Sequence, residues 1–202
     1  MTWPSDEDNA LSGSPPRWVS RLGGRGGVAL AGVWGFAEGT LLFIVPDVLI
    51  SLAAMCAGRR AGRHVAAAVA GAVLAGGVMF AWSAADYPVA SNAVRNVPFV
   101  RERMFAAADA GMDQQGALAL FRGAFTGVPY KIFAVEAPGR MPAVLFLVAT
   151  MPARAARFLL VWAAFAILGF WIRGRSPGRW NLLAGVHAAL WVPFYIVYWS
   201  VI

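Results

Sequence analysis

The chain of 202 residues is 59% apolar and 13% charged, with a mean hydropathy of +0.62. Soluble domains carry about 45–50% apolar and about 25% charged residues, so too little polar surface is present to coat a water-soluble globule, which argues against a soluble enzyme. The net charge of +7 comes from short basic clusters between apolar segments, the pattern of cytoplasmic membrane flanks and not of a nucleic-acid-binding face.

Residues 1–26 are rich in Gly, Pro, Ser and charge without apolar periodicity and read as a disordered tail. The acids Asp6, Glu7 and Asp8 precede Arg17, Arg21 and Arg25, the wrong order for a cleaved signal peptide, so the tail is expected to be retained and cytoplasmic.

The apolar block 27–57 is too long for one perpendicular span, since a core of roughly 30 Å needs about 20 helical residues. It carries Glu38, Pro46 and Asp47 near its middle, and basic clusters flank it at Arg17/Arg21/Arg25 and Arg59/Arg60/Arg63. Both ends therefore belong on the cytoplasmic side, and the block is expected to dip in and turn back as a re-entrant hairpin. Residues 65–85 then form a simple outward span, with Ala67, Gly71 and Ala75 recurring every fourth position to permit close helix contact. Residues 86–116 mix charges with Pro88 and Pro98 and read as a connector, partly amphipathic helix on the membrane surface.

The block 117–139 repeats the first pattern: it is apolar, broken by Gly127 and Pro129, and carries Arg122, Lys131 and Glu136. Residues 143–172 supply an inward span ending at the basic run Arg173, Arg175 and Arg179. Residues 181–202 form a last span whose Trp191, Tyr195, Tyr198 and Trp199 suit an interface. The expected fold is thus an all-α integral membrane protein. It is an inverted repeat of two re-entrant helical hairpins, each followed by a transmembrane helix, with a C-terminal transmembrane helix added. Its divisions are the tail 1–26, the membrane domain 27–172 and the basic loop with the last helix, 173–202.

Charged side chains inside a bilayer cost about 2.5–3.5 kcal/mol each on insertion scales, so they persist when paired or facing water. Glu38 and Asp47 lie nine positions apart in the first hairpin, and Arg122 and Lys131 nine apart in the second, so the two tips can neutralise one another. Pro46, Gly127 and Pro129 mark the hairpin turns, which free backbone groups and are tolerated only inside protein or against a wet cavity. Arg154 and Arg157, three apart, share a helix face. With Lys131 and Arg122 they would form a phosphate-sized anion site. Equally open is that these are ion pairs locking the hairpins without a ligand. Glu38 and Asp47 are either proton carriers or fixed counter-charges. Glu136 is expected near the hairpin exit and solvated, and His187 to be a helix-packing residue. With the single Cys56 and only His64 and His187, neither an internal disulfide nor a zinc site is expected, and no metal or other cofactor is implied.

Three stretches, 38–50 (EGTLLFIVPDVLI), 125–133 (FTGVPYKIF) with Gly139 after it, and 154–158 (RAARF), resemble the signature motifs of the DedA, or VTT-domain, membrane proteins and especially their YqaA-like branch. The resemblance covers residues 27–172. It implies two inverted re-entrant hairpins and a role in moving lipids or lipid-linked phosphates across a bacterial inner membrane, with dependence on the proton motive force. It places Glu38 and Asp47 at the essential acidic positions and Lys131, Arg154 and Arg157 at the essential basic ones. Phe43, Val45 and Gly127 depart from that branch by standing where it carries prolines.

The expected function is a non-enzymatic transporter or scramblase-like movement of a phospholipid or polyprenyl phosphate between leaflets, with membrane lipids as the partners and self-association left open. The rival expectation is a non-transporting scaffold or assembly factor whose buried ion pairs are structural.

Overall fold

The computed structural model describes residues 15–201, and the tail assignment for residues 1–14 lies outside them. All regular elements among the described residues are helical. They are α1 (Arg17–Gly23), α2 (Arg25–Thr40), α3 (Asp47–Ala57), α4 (Gly62–Ala85), α5 (Tyr87–Arg95), α6 (Glu102–Gln115), α7 (Leu118–Thr126), α8 (Tyr130–Glu136), α9 (Ala143–Arg175) and α10 (Trp180–Val201). A 3-10 turn, Gly58–Ala61, joins α3 to α4.

Three helical stretches, Asp47–Ala85, Ala143–Arg175 and Trp180–Tyr198, are long and apolar enough to cross a membrane. The outer face of α9 shows why water is a poor solvent for them: Val144, Val148, Leu160, Ile167 and Phe170 are all at least 60% exposed. By length and apolarity the chain is an integral membrane protein.

Both expected breaks are present. α2 stops at Thr40, whose hydroxyl donates back to the Ala37 carbonyl (2.9 Å), and α3 restarts after Pro46, which stands at its N-cap. In the second block α7 ends at Gly127, left-handed at φ +81°, and α8 begins after Pro129. Glycine tolerates that left-handed cap and proline a position outside the hydrogen-bonded ladder, so each break is written locally.

The segment 17–26 differs from the tail reading, because Arg17–Gly23 is helix and α2 already starts at Arg25. Trp18, Val19 and Leu22 fall on one face and pack against Met55, Cys56 and Leu183. A helix of about two turns is too short to show a periodicity, and only its partners from α3 and α10 make it worth folding.

The seam between α2 and α4 is the most intimate in the molecule. A Cβ on Gly71 would lie 2.0 Å from the Gly32 carbonyl oxygen, and one on Gly35 2.3 Å from that of Ala68. The small-residue stripe thus holds two backbones in direct contact. The long helix α9 runs along α3, α4 and α7, so side chains one turn apart on it reach both breaks. The last helix, α10, leans on α3.

Candidate functional site

The broken segment 41–46 leaves backbone groups without helical partners, and side chains from distant elements take them up. Trp34 donates its indole N–H to the Ile44 carbonyl (2.9 Å), and the Lys131 ammonium donates to the Leu42 carbonyl (2.7 Å). The Val45 amide donates to the Tyr195 hydroxyl (3.2 Å). Backbone groups freed by a break and shielded from water are costly unless compensated in this way.

The two acids flank that segment and each meets an arginine of α9. Glu38, on the last turns of α2, pairs with Arg154, and both are buried. Asp47, the first residue of α3 and 1% exposed, takes two parallel bonds from Arg157, Nε to Oδ1 at 3.2 Å and a terminal amine to Oδ2 at 3.1 Å. A carboxylate at a helix N-terminus is favoured by the helix dipole, and the guanidinium fork matches it geometrically. Arg157 also reaches the Ala124 carbonyl near the end of α7 (3.5 Å), so one side chain ties both breaks together. The Arg154 guanidinium lies 4.7 Å from the Phe158 ring centre and 5.2 Å from that of Tyr130, within the range of cation–π attraction. Tyr130 in turn is bonded to Thr150 (3.0 Å), whose hydroxyl donates to the Phe146 carbonyl (2.9 Å).

These charges line one cavity of about 510 Å³. Glu38, Asp47, Lys131, Arg154 and Arg157 contribute to its wall, as do Gly127 and Pro129. Its remaining wall is largely apolar and aromatic, including Phe43, Phe99, Trp191, Tyr195 and Tyr198. Phe99 comes from the connector and packs on Phe43 with ring centres 5.8 Å apart. It is a non-glycine residue at φ +67°, a conformation that costs on the order of 1–3 kcal/mol and so marks a place where the surroundings impose the backbone.

Three expectations need correction. The tips do not neutralise one another through Lys131: the acids are paired with Arg154 and Arg157, and Lys131 bonds to the backbone of the first break. The reason is reach, because α9 carries its two arginines past both acids while the short α8 points Lys131 at the carbonyl end of α2. Arg122 is exposed and does not line the cavity. On α7 it lies next to Gly123, whose bare face abuts the Phe133 ring, so it projects away from the buried side. Glu136 is not solvated: it is 4% exposed and accepts bonds from the Tyr87 hydroxyl (2.7 Å) and from Arg140 (3.1 Å). That carboxylate also raises the Tyr87 phenol above its ordinary pKa, since the phenolic proton is held in the bond. Arg140 is shared further with Asp109 (3.2 Å) and Asp113 (3.3 Å), so this cluster ties the connector to α8.

On α10, Trp191 donates to the Ser51 hydroxyl (2.9 Å), and Tyr195 accepts from the first break, so both face protein on one side. His187 is buried between Ser51 and the Val48 carbonyl, 2.9 Å from each, as suits a packing residue. The one hint in the sequence was spacing: His187, Trp191 and Tyr195 recur every fourth residue and so share a face.

The chain matches no protein-family model, and neither curated proteins nor solved structures offer a significant match to it.

Proposed function

We propose that this protein carries a phosphate-bearing lipid, a phospholipid or a polyprenyl phosphate, between the leaflets of a membrane. The observation that supports this most is the imbalance of charge in the cavity. Among the described residues its wall holds three cations against two carboxylates, and both carboxylates are spoken for by Arg154 and Arg157. Lys131, 2% exposed, has spent one of three donors on the Leu42 carbonyl. A buried ammonium without a carboxylate is costly, and an anionic guest lowers that cost.

In this reading Lys131 and Arg157 hold the headgroup phosphate while Arg154 supports them through Glu38. Asp47 competes with the phosphate for Arg157, either as a fixed charge or by taking up a proton, so that the guest is released. The segments α2–α3 and α7–α8 act as re-entrant hairpins entering from opposite faces of a bacterial inner membrane, with the N-terminus cytoplasmic. The motifs that resemble the DedA family agree with this assignment, since they include all five charged residues of the cavity wall.

The test is reconstitution in liposomes with a fluorescent phosphate-bearing lipid. Acceleration over empty vesicles that disappears in Lys131→Ala supports the proposal, and equal rates in both, or no acceleration at all, remove it. The scaffold alternative draws its support from the two ion pairs themselves, which lock α2, α3 and α9 together without any ligand. It predicts that Glu38→Gln with Arg154→Met, which removes both members of one pair, restores abundance and phenotype together relative to either single change.

A further inference from the structure

A second cavity, of about 840 Å³, lies between α6 and α10 and touches the charged one. Its walls are two facing apolar stripes. Leu190, Phe194 and Val197 lie on one face of α10, and Met104 and Ala107 lie three apart on α6. Among the described residues the one charged side chain in the lining is Arg103, which is exposed. Leu190, Phe194 and Val197 are themselves between 47% and 60% exposed, so the groove is open along α10.

The two cavities have Gly127, Val128, Phe194 and Tyr198 in common. Gly127 forms the sill between them. It is exposed and left-handed, and a Cβ placed on it would meet nothing within 4 Å, so no side chain packs against its bare face. A charged cavity and an apolar trough thus lie side by side and share four lining residues. That pairing of environments is complementary to an amphiphile, whereas to a water-soluble anion the trough would supply nothing.

We propose that the α6–α10 groove binds the hydrocarbon tail of a phosphate-bearing amphiphile whose headgroup sits in the charged cavity, with the chain passing over Gly127. This rests on the headgroup assignment above, and it adds where the tail leaves the site and why the site selects a lipid over free phosphate.

The full-length protein is placed in phosphatidylcholine nanodiscs with phosphatidic acid carrying a photoreactive group partway along one long acyl chain. A short-chain phosphatidic acid and inorganic phosphate serve as tailless probes of the charged cavity. Ala107→Trp and Val197→Trp fill the groove from opposite walls at exposed positions, so neither disturbs a packed core. Crosslinks are expected on Met104, Leu190 or Val197. Each tryptophan variant is expected to weaken long-chain binding by about tenfold and to leave short-chain binding unchanged.

Unchanged long-chain affinity in both variants would overturn the inference, and so would an equal loss for both chain lengths. Equal labelling of the groove by a phosphatidylcholine probe, or crosslinks between α10 helices of two copies, would assign the groove to bulk lipid or to self-association. If the wild-type protein binds neither phosphate probe, the headgroup assignment itself fails; if it binds the short-chain probe and only the groove results fail, that assignment stands.

Discussion

Arg157 holds Asp47 with two parallel bonds although the residues are 110 positions apart, while Arg154, one turn earlier on the same helix, holds Glu38 across 116 positions. The two pairs differ in what surrounds the cation. Arg154 has a side chain 3% exposed, and that of Arg157 is 26% exposed. Removing one partner of a buried pair costs about 3–5 kcal/mol because the other charge is stranded. Glu38→Ala is therefore expected to lower the melting temperature in detergent more than Asp47→Ala, since Arg157 keeps access to the cavity. The reverse order would mean that the Asp47 pair, and not the Glu38 pair, is the dry one.

Lys131→Met separates stability from activity. Methionine keeps the length and apolar bulk of the lysine stem and removes a buried charge that forms no ion pair with a carboxylate among the described residues, at the loss of one bond to the Leu42 carbonyl worth about 0.5–1.5 kcal/mol. The variant is expected to melt within about 1 kcal/mol of wild type by the same reckoning and to lose lipid movement in liposomes altogether. Retained movement would show that the ammonium serves only to cap the first break.

The cluster around Glu136 gives an independent stability test outside the cavity. Tyr87→Phe deletes a hydrogen bond to a carboxylate, a class worth about 1.5–3 kcal/mol. Arg140→Ala removes the one cation shared by Glu136, Asp109 and Asp113 and is expected to be worse. Both should speed hydrogen exchange in α5 and α6 before any change appears in α2 or α3. Exchange that rises uniformly across the chain would contradict a local tie.

The α2–α4 seam offers a comparison within one helix. Gly71→Ala would drive a methyl group into the Gly32 carbonyl at 2.0 Å, whereas at Gly77 the nearest atom, from Leu147, lies 3.8 Å away. Overpacking costs about 1–3 kcal/mol, and more where backbone is the obstacle. Gly77→Ala should instead stabilise by up to about 1 kcal/mol through helix propensity. Thermal melts of the two variants check the contrast, and similar values would mean that the helices separate more easily than the contact implies.

The sequence alone determined the solvent and the punctuation of this protein. Apolar length marked the stretches able to cross a bilayer, and Pro46, Gly127 and Pro129 marked the two breaks, because hydropathy and backbone preference act within a few residues. It also singled out Glu38, Asp47, Lys131, Arg154 and Arg157 as charges in apolar surroundings, and these five line one cavity. Which cation meets which acid was decided by the tertiary structure, since that depends on where α9 passes and on the rotational phase it has there. The same holds for Glu136, for Arg122, and for the helix at Trp18, Val19 and Leu22, whose burial or exposure is set by partners up to 165 positions away, at Leu183. A carboxylate or an indole reads the same along the chain whether it faces lipid, water or another helix; only packing assigns its neighbours, and the neighbours assign its role.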